Sequence, residues 1–138
     1  MPAPQILGTL ESALYADDLA AAESFFAGTL GLSVIARQEG RHVFFSTGHS
    51  VLLVFNPSAT AHPPRPDAAL PVPPHGARGP GHYCFSVPAE ALDDWRAHLE
   101  QQGVAIEADF CWPGGARSIY VRDPAGNSVE FAEPGLWF

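Results

Sequence analysis

Arg117-Ser-Ile-Tyr-Val-Arg122-Asp-Pro-Ala-Gly126-Asn-Ser-Val-Glu130-Phe131 reads as strand, turn, strand. A β-branched and aromatic run leads into Asp-Pro-Ala-Gly-Asn, whose proline presets φ and whose glycine tolerates positive φ, and a second β-rich run follows. In that second strand Glu130 lies between Val129 and Phe131, and the two-residue period turns it to the face opposite both. A carboxylate on an inner sheet face is costly unless a cation accompanies it. Its partners must come from elsewhere in the chain.

Upstream, Gly81 to Val87 alternates His82, Cys84 and Ser86 against Tyr83, Phe85 and Val87, the pattern of a strand. Pro88 then opens a helix bearing Leu92, Trp95 and Leu99, Gly103 ends it, and Val104 to Trp112 is a strand that runs into a Pro-Gly-Gly loop. With the opening stretch this makes β-α-β-β-β. The first half has the same order. Ile6 to Tyr15 is a strand with Thr9, Glu11, Ala13 and Tyr15 on one face, and Asp17 and Asp18 cap a helix striped by Leu19, Ala22, Phe25, Phe26 and Leu30. Gly31 stops that helix, and strands follow at Leu32 to Arg37, Arg41 to Ser46 and Ser50 to Phe55. Between the halves, Pro57 to Pro80 holds eight of the fourteen prolines, with no periodicity of either kind. It reads as a connection without helix or strand, able to act as a lid. The expectation is an α+β fold in a single domain over 1–138: a first module at 6–57, a connection at 58–80, a second module at 81–134 and an apolar tail at 135–138.

The two halves align by counting. Glu11 lies 20 residues before Gly31 and His82 lies 21 before Gly103, while Gly48-His-Ser-Val-Leu52 falls over Gly126-Asn-Ser-Val-Glu130. Glu11 thus corresponds to His82, and Leu52 to Glu130. If the modules pair about a pseudo-twofold axis, these positions meet in a cleft between curved mixed sheets. Glu11, His82 and Glu130 then offer two oxygen donors and one imidazole to a metal, with positions open for water and substrate. Thr9, Ala13, Cys84, Ser86, Ser128 and Ala132 on the same faces are small and leave room beside it.

Composition narrows the function. Seven Lys and Arg against fifteen Asp and Glu, a net charge of -8, argue against binding the phosphate backbone of nucleic acid. No apolar run approaches the roughly 20 residues of a membrane span, and the N-terminus lacks the pattern of a signal peptide, so a cytoplasmic protein with a small-molecule partner is expected. Cys84 and Cys111 form no CxxC pair and read as buried thiols.

The chain resembles the vicinal oxygen chelate superfamily, also called the glyoxalase, bleomycin-resistance and extradiol-dioxygenase superfamily. The resemblance runs from Ile6 to Pro134 and is carried by Glu11-Ser-Ala-Leu-Tyr-Ala-Asp-Asp-Leu19, Phe25-Phe26, Leu30-Gly-Leu32, Gly81-His-Tyr-Cys-Phe-Ser-Val87 and the opening stretch. It implies paired βαβββ modules, a homodimer and a divalent metal on Glu11, His82 and Glu130, with Leu52 where glyoxalases place a fourth ligand. Two carboxylates and one imidazole make an oxygen-rich site, suited to Mn, Zn or Mg more than to oxygen-activating iron. A ring-cleaving dioxygenase therefore ranks below a lyase, isomerase or group transferase acting on a small oxygenated substrate by bidentate chelation. The three-ligand set resembles that of the fosfomycin thiol-transferases, whose substrate-contacting positions fall on Ser118 and Tyr120.

Other candidates lie nearby. Ser118, Tyr120 and Arg122 share one strand face and can hold an anionic substrate oxygen, with Glu130 shuttling a proton and the Tyr120 hydroxyl assisting. Arg122 can instead pair with Asp123 in the turn. Trp112, beside Gly114 and Gly115, suits a cationic aromatic ligand, which keeps open a non-catalytic protein that sequesters a drug or metabolite. His42 faces either the cleft or the helix, depending on register, and His49, His62, His75 and His98 read as loop or solvated residues.

Overall fold

The computed structural model describes residues 2–138. The first module contains β1 (Glu11–Tyr15), α1 (Leu19–Glu23), β2 (Ser33–Gln38), β3 (His42–Ser46) and β4 (Val51–Phe55). A short α2 (Pro57–Thr60) follows, and the second module contains β5 (His82–Ser86), α3 (Leu92–Gln101), β6 (Ala108–Cys111), β7 (Arg117–Arg122) and β8 (Ser128–Ala132). Each module builds a four-stranded mixed sheet, ordered β1-β4-β3-β2 in the first and β5-β8-β7-β6 in the second. In both, the module's first strand pairs in parallel with its last and the other pairs are antiparallel. The expected α+β architecture of two βαβββ modules is present.

Local chemistry explains most element ends. The Asp18 carboxylate accepts from Ala21 N at 3.0 Å and caps α1, which widens over Ser24–Thr29 into a π-helical stretch. That widening keeps Phe25 and Phe26 inward, both buried and packed edge to face. Gly31 at φ +79 reverses the chain into β2. The helix-side strand faces carry Leu14, Val43, Phe45, Leu52 and Val54 in one sheet and Ile119, Val121, Val129 and Phe131 in the other, all in a single core. Phe26 touches both modules, with its ring 5.5 Å from Phe45 and 6.5 Å from Phe85.

Several expectations are corrected. The first strand starts at Glu11, and Pro2 to Leu10 form no strand; Ile6, Leu7 and Leu10 stand exposed with no sheet to cover them. The connection does contain a helix, because Pro57 sits at the start of a turn whose preceding Asn56 side chain accepts from Ser58 N at 3.0 Å. The tail holds a 3₁₀ turn at Pro134–Leu136. Neither cysteine is fully buried. Alternation places Cys84 on the helix-free face of β5, and Cys111 lies at the end of edge strand β6.

Strand register corrects the counterpart of Glu130. β5 pairs Cys84 with Glu130 in β8, and β1 pairs Ala13, the counterpart of Cys84, with Leu53 in β4. Leu53, not Leu52, therefore corresponds to Glu130. The slip comes from the turns: four residues separate paired Ser46 and Val51, whereas five separate paired Arg122 and Ser128. Aligning the turn glycines shifts the strand by one residue, and one residue changes the face.

Candidate functional site

Glu130 points to the helix-free face of the second sheet, 5% exposed, although its neighbours Val129 and Phe131 are in the core behind it. His82, half-exposed on β5, brings Nε2 to 3.2 Å from Glu130 Oε1. His82 Nδ1 lies 3.1 Å from Ser128 O. A carbonyl only accepts, so Nδ1 carries a proton and Nε2 is the nitrogen turned to the carboxylate. At that separation either a proton on Nε2 or a metal ion lies between Nε2 and Oε1. The donor chemistry and the tautomer fit a divalent cation.

The other Glu130 oxygen is already engaged. Ser118 Oγ, fully buried on β7, donates to Glu130 Oε2 at 2.6 Å, and Trp112 Nε1 donates to Ser118 Oγ at 2.8 Å. Ser118, expected to meet substrate, thus spends its hydroxyl proton on the carboxylate, and Trp112, expected likewise, spends its N–H on Ser118. Tyr120 pairs with Glu130 across β7 and β8, and its ring stacks near His82 (6.1 Å) and on Phe110 (5.7 Å). Burial, reinforced by the Glu130 carboxylate, pushes the Tyr120 hydroxyl up to about 12, so at neutral pH it is a donor. Arg122 faces the same way but is held by Glu107 at 2.7 and 3.1 Å and by Gly126 O at 3.1 Å. Its ion pair is with Glu107 and not with Asp123. Arg117 is committed to Asp109 and Asp93 on the other side.

Glu11 does not join this group. It stands exposed at the start of β1, and no cluster of three His, Cys, Asp or Glu side chains able to hold a metal occurs among the described residues. The expected convergence within one chain is therefore absent. The modules share their helix-side core, and His82 and Glu130 lie on the opposite face of their sheet. The modules adjoin where β1 meets the start of β5: Asn127 accepts from Gly81 N at 2.8 Å through Oδ1 and donates through Nδ2 to Tyr15 O at 3.3 Å. A hollow of about 220 Å³ lies at this junction, lined by Ala13, Tyr15, Gly81, His82 and Asn127.

The helix-free face of the first sheet is aromatic. His42 stacks on Phe44 at 4.1 Å, its Nδ1 lies 2.8 Å from Arg41 Nη1, and burial, then the Arg41 charge, lowers its pKa. His75, read from sequence as a loop residue, reaches back from the connection to place Nδ1 2.8 Å from the Tyr15 hydroxyl and its ring 4.6 Å from Phe55. His98 likewise is anchored, with Nε2 2.7 Å from Thr29 O. Nothing in local periodicity marks the junction role of Asn127 or the Tyr15 contact of His75, because those partners lie 46 or more residues away.

Residues 7–131 match the model of the Glyoxalase/Bleomycin resistance protein/Dioxygenase superfamily. The chain belongs to that superfamily. Among solved structures it is similar to a lactoylglutathione lyase from Agrobacterium tumefaciens, with 43% identity, a TM-score of 0.89 and coverage of 97% of this chain and 98% of that one. A superfamily member from Sphaerobacter thermophilus is 20% identical, with a TM-score of 0.67 over 93% of this chain and 98% of that one. An integron cassette protein from the Halifax Harbour sewage outfall metagenome is also 20% identical, with a TM-score of 0.72 over 93% of this chain and 99% of that one. These last two share the fold. No helix among the described residues is long and apolar enough to cross a membrane.

Proposed function

We propose that this superfamily member is a divalent-metal-dependent enzyme acting on a small oxygenated substrate, with lyase chemistry the first to test and isomerase or group-transfer chemistry next. The observation that carries the reading is His82 Nε2 facing Glu130 Oε1 at 3.2 Å with Nδ1 tied to Ser128 O. His82 and Glu130 would hold the metal, and Mn, Zn or Mg suits such a donor set. When bound, the metal supplies Lewis-acid polarisation of a substrate oxygen. The third ligand would be Glu11 of a second copy in a homodimer, since this chain's own Glu11 is exposed and joins no cluster of donors among the described residues. Tyr120 donates a hydrogen bond beside that centre, and Glu130 is the candidate proton carrier. The 43% identical lactoylglutathione lyase supports lyase activity, although Leu53 puts an apolar side chain at the register counterpart of Glu130.

Metal analysis of the purified protein, followed by assays of glutathione thioester formation and cleavage with Mn or Zn added, tests the proposal. His82→Ala and Glu130→Ala should each lower metal affinity by at least ~100-fold, the order of a lost direct ligand beyond supporting-shell losses. Undiminished binding in both overturns it. A second reading, metabolite or drug sequestration, draws on exposed Phe110 and Trp112, whose rings lie 4.9 Å apart beside acidic Glu130. Tight binding of a cationic aromatic compound in excess chelator would favour that alternative.

A further inference from the structure

We propose that Trp112 and Ser118 are positioning residues that hold the Glu130 carboxylate through a directed hydrogen-bond relay, leaving Oε1 alone for the metal. This rests on the reading of Glu130 as a ligand. The direction of the relay follows from donor inventory. An indole N–H can only donate, so Ser118 Oγ receives it at 2.8 Å. The single serine proton is thereby turned to Glu130 Oε2, the short 2.6 Å contact expected when a hydroxyl donates to a carboxylate. Oε2 is occupied and Oε1 faces His82 Nε2 at 3.2 Å.

The first member of this relay belongs to a loop. Trp112 N donates to Ala116 O and Gly115 N donates to Trp112 O, both at 2.8 Å, in a turn where Gly115 adopts φ +98. The turn fixes the Trp112 backbone, and the Phe110 ring packs against the indole at 4.9 Å. Ser118 has no exposure at all, so water does not compete for its hydroxyl. The β6–β7 hairpin thus sets the orientation of a carboxylate two strands in from its edge. An aromatic residue that resembles a substrate platform works through its nitrogen.

The test is Mn(II) titration calorimetry and Mn(II) electron paramagnetic resonance on the full chain, comparing the parent with Ser118→Ala, Trp112→Phe, the double variant and Glu130→Ala. Ser118→Ala should weaken Mn(II) binding by about 10–100-fold, the usual effect of removing a group that orients a ligand. Trp112→Phe keeps the ring and deletes the N–H. It should weaken binding by roughly 3–10-fold in the parent and have no further effect once Ser118 is alanine, because the indole acts through the hydroxyl. The resonance line shape should change in both single variants. Trp112→Phe with parent affinity and line shape, or with an equal cost in both backgrounds, overturns the relay. If Glu130→Ala abolishes binding while Ser118→Ala and Trp112→Phe do not alter it, only the relay falls. If the parent binds no Mn(II), or Glu130→Ala binds as well as the parent, the metal reading falls and the relay with it. Should Ser118→Ala fail to fold, Trp112→Phe decides by its affinity and line shape.

Discussion

At the scale of single residues, burial and charge act on the same few side chains. Cys84 lies opposite Glu130 in the β5–β8 ladder, and partial burial, then the nearby carboxylate, pushes its thiol up to about 12. It should therefore alkylate much more slowly at pH 8 in the presence of chelator than a free thiol does, and Glu130→Gln should speed the reaction. Iodoacetamide labelling followed by mass spectrometry separates Cys84 from Cys111, and a parent Cys84 that reacts like free cysteine contradicts this. The pairing of His82 with Glu130 was partly legible in sequence, because strand alternation turned each of these candidate donors away from its apolar neighbours. The relay was not legible, because strand alternation shows only that Ser118 shares the face of Glu130. It cannot show that the β6–β7 turn brings the Trp112 indole to the serine.

At the scale of elements, register and ion pairing decide. Leu52 is fully buried behind the first sheet, whereas Leu53 is on the Glu130-equivalent face. Leu52→Glu should cost ~3 kcal/mol or more by burying an unpaired charge in the core. Urea unfolding measures it, and a loss below about 1 kcal/mol, the range of surface substitutions, would refute the placement of Leu52 in the core. Asp109 on β6 joins Arg117 on β7 and Arg96 on α3 at 2.7–2.8 Å. The hydrogen bond from Arg117, more than that from Arg96, lowers its carboxyl to about 2 from 3.8. A depressed carboxylate pKa stabilises the fold above the unfolded value and loses that contribution as pH falls from about 4 through 2. The arginines are partly solvated, so on the order of 1–2 kcal/mol is at stake. Asp109→Asn should destabilise the protein at pH 6 and flatten the dependence of stability on pH between 4 and 2, as followed by thermal melts.

At the scale of the whole molecule, two modules dock through one shared helix-side core. Asn127, fully buried at the junction, holds Gly81 N and Tyr15 O and donates to Asp123 Oδ2 at 2.9 Å. Asn127→Ala should cost about 2–3 kcal/mol by orphaning buried partners. Unfolding in denaturant measures the loss, and an unchanged midpoint would rule out a junction role. The proposed sharing of a site between copies has its own signature. Glu11→Ala and Glu130→Ala chains, each deficient alone, should recover metal binding when mixed and allowed to exchange subunits. One of the two sites in a mixed dimer then has an intact Glu11 from one chain and intact His82 and Glu130 from the other. Failure to recover in a mixture shown to form mixed dimers would exclude the shared site.

Local chemistry was enough to write out the βαβββ order twice, the capping Asp18, the Gly31 stop and the alternation that singles out His82 and Glu130. These depend on residues a few positions apart, where turn geometry and side-chain period dominate. The exposed N-terminal stretch, the one-residue difference between the β3–β4 and β7–β8 turns, the Asn127 junction and the separation of Glu11 from His82 and Glu130 were decided by tertiary structure. Each depends on how far-apart segments dock. A common helix-side core turns the candidate ligands outward, so one chain presents two of the three together.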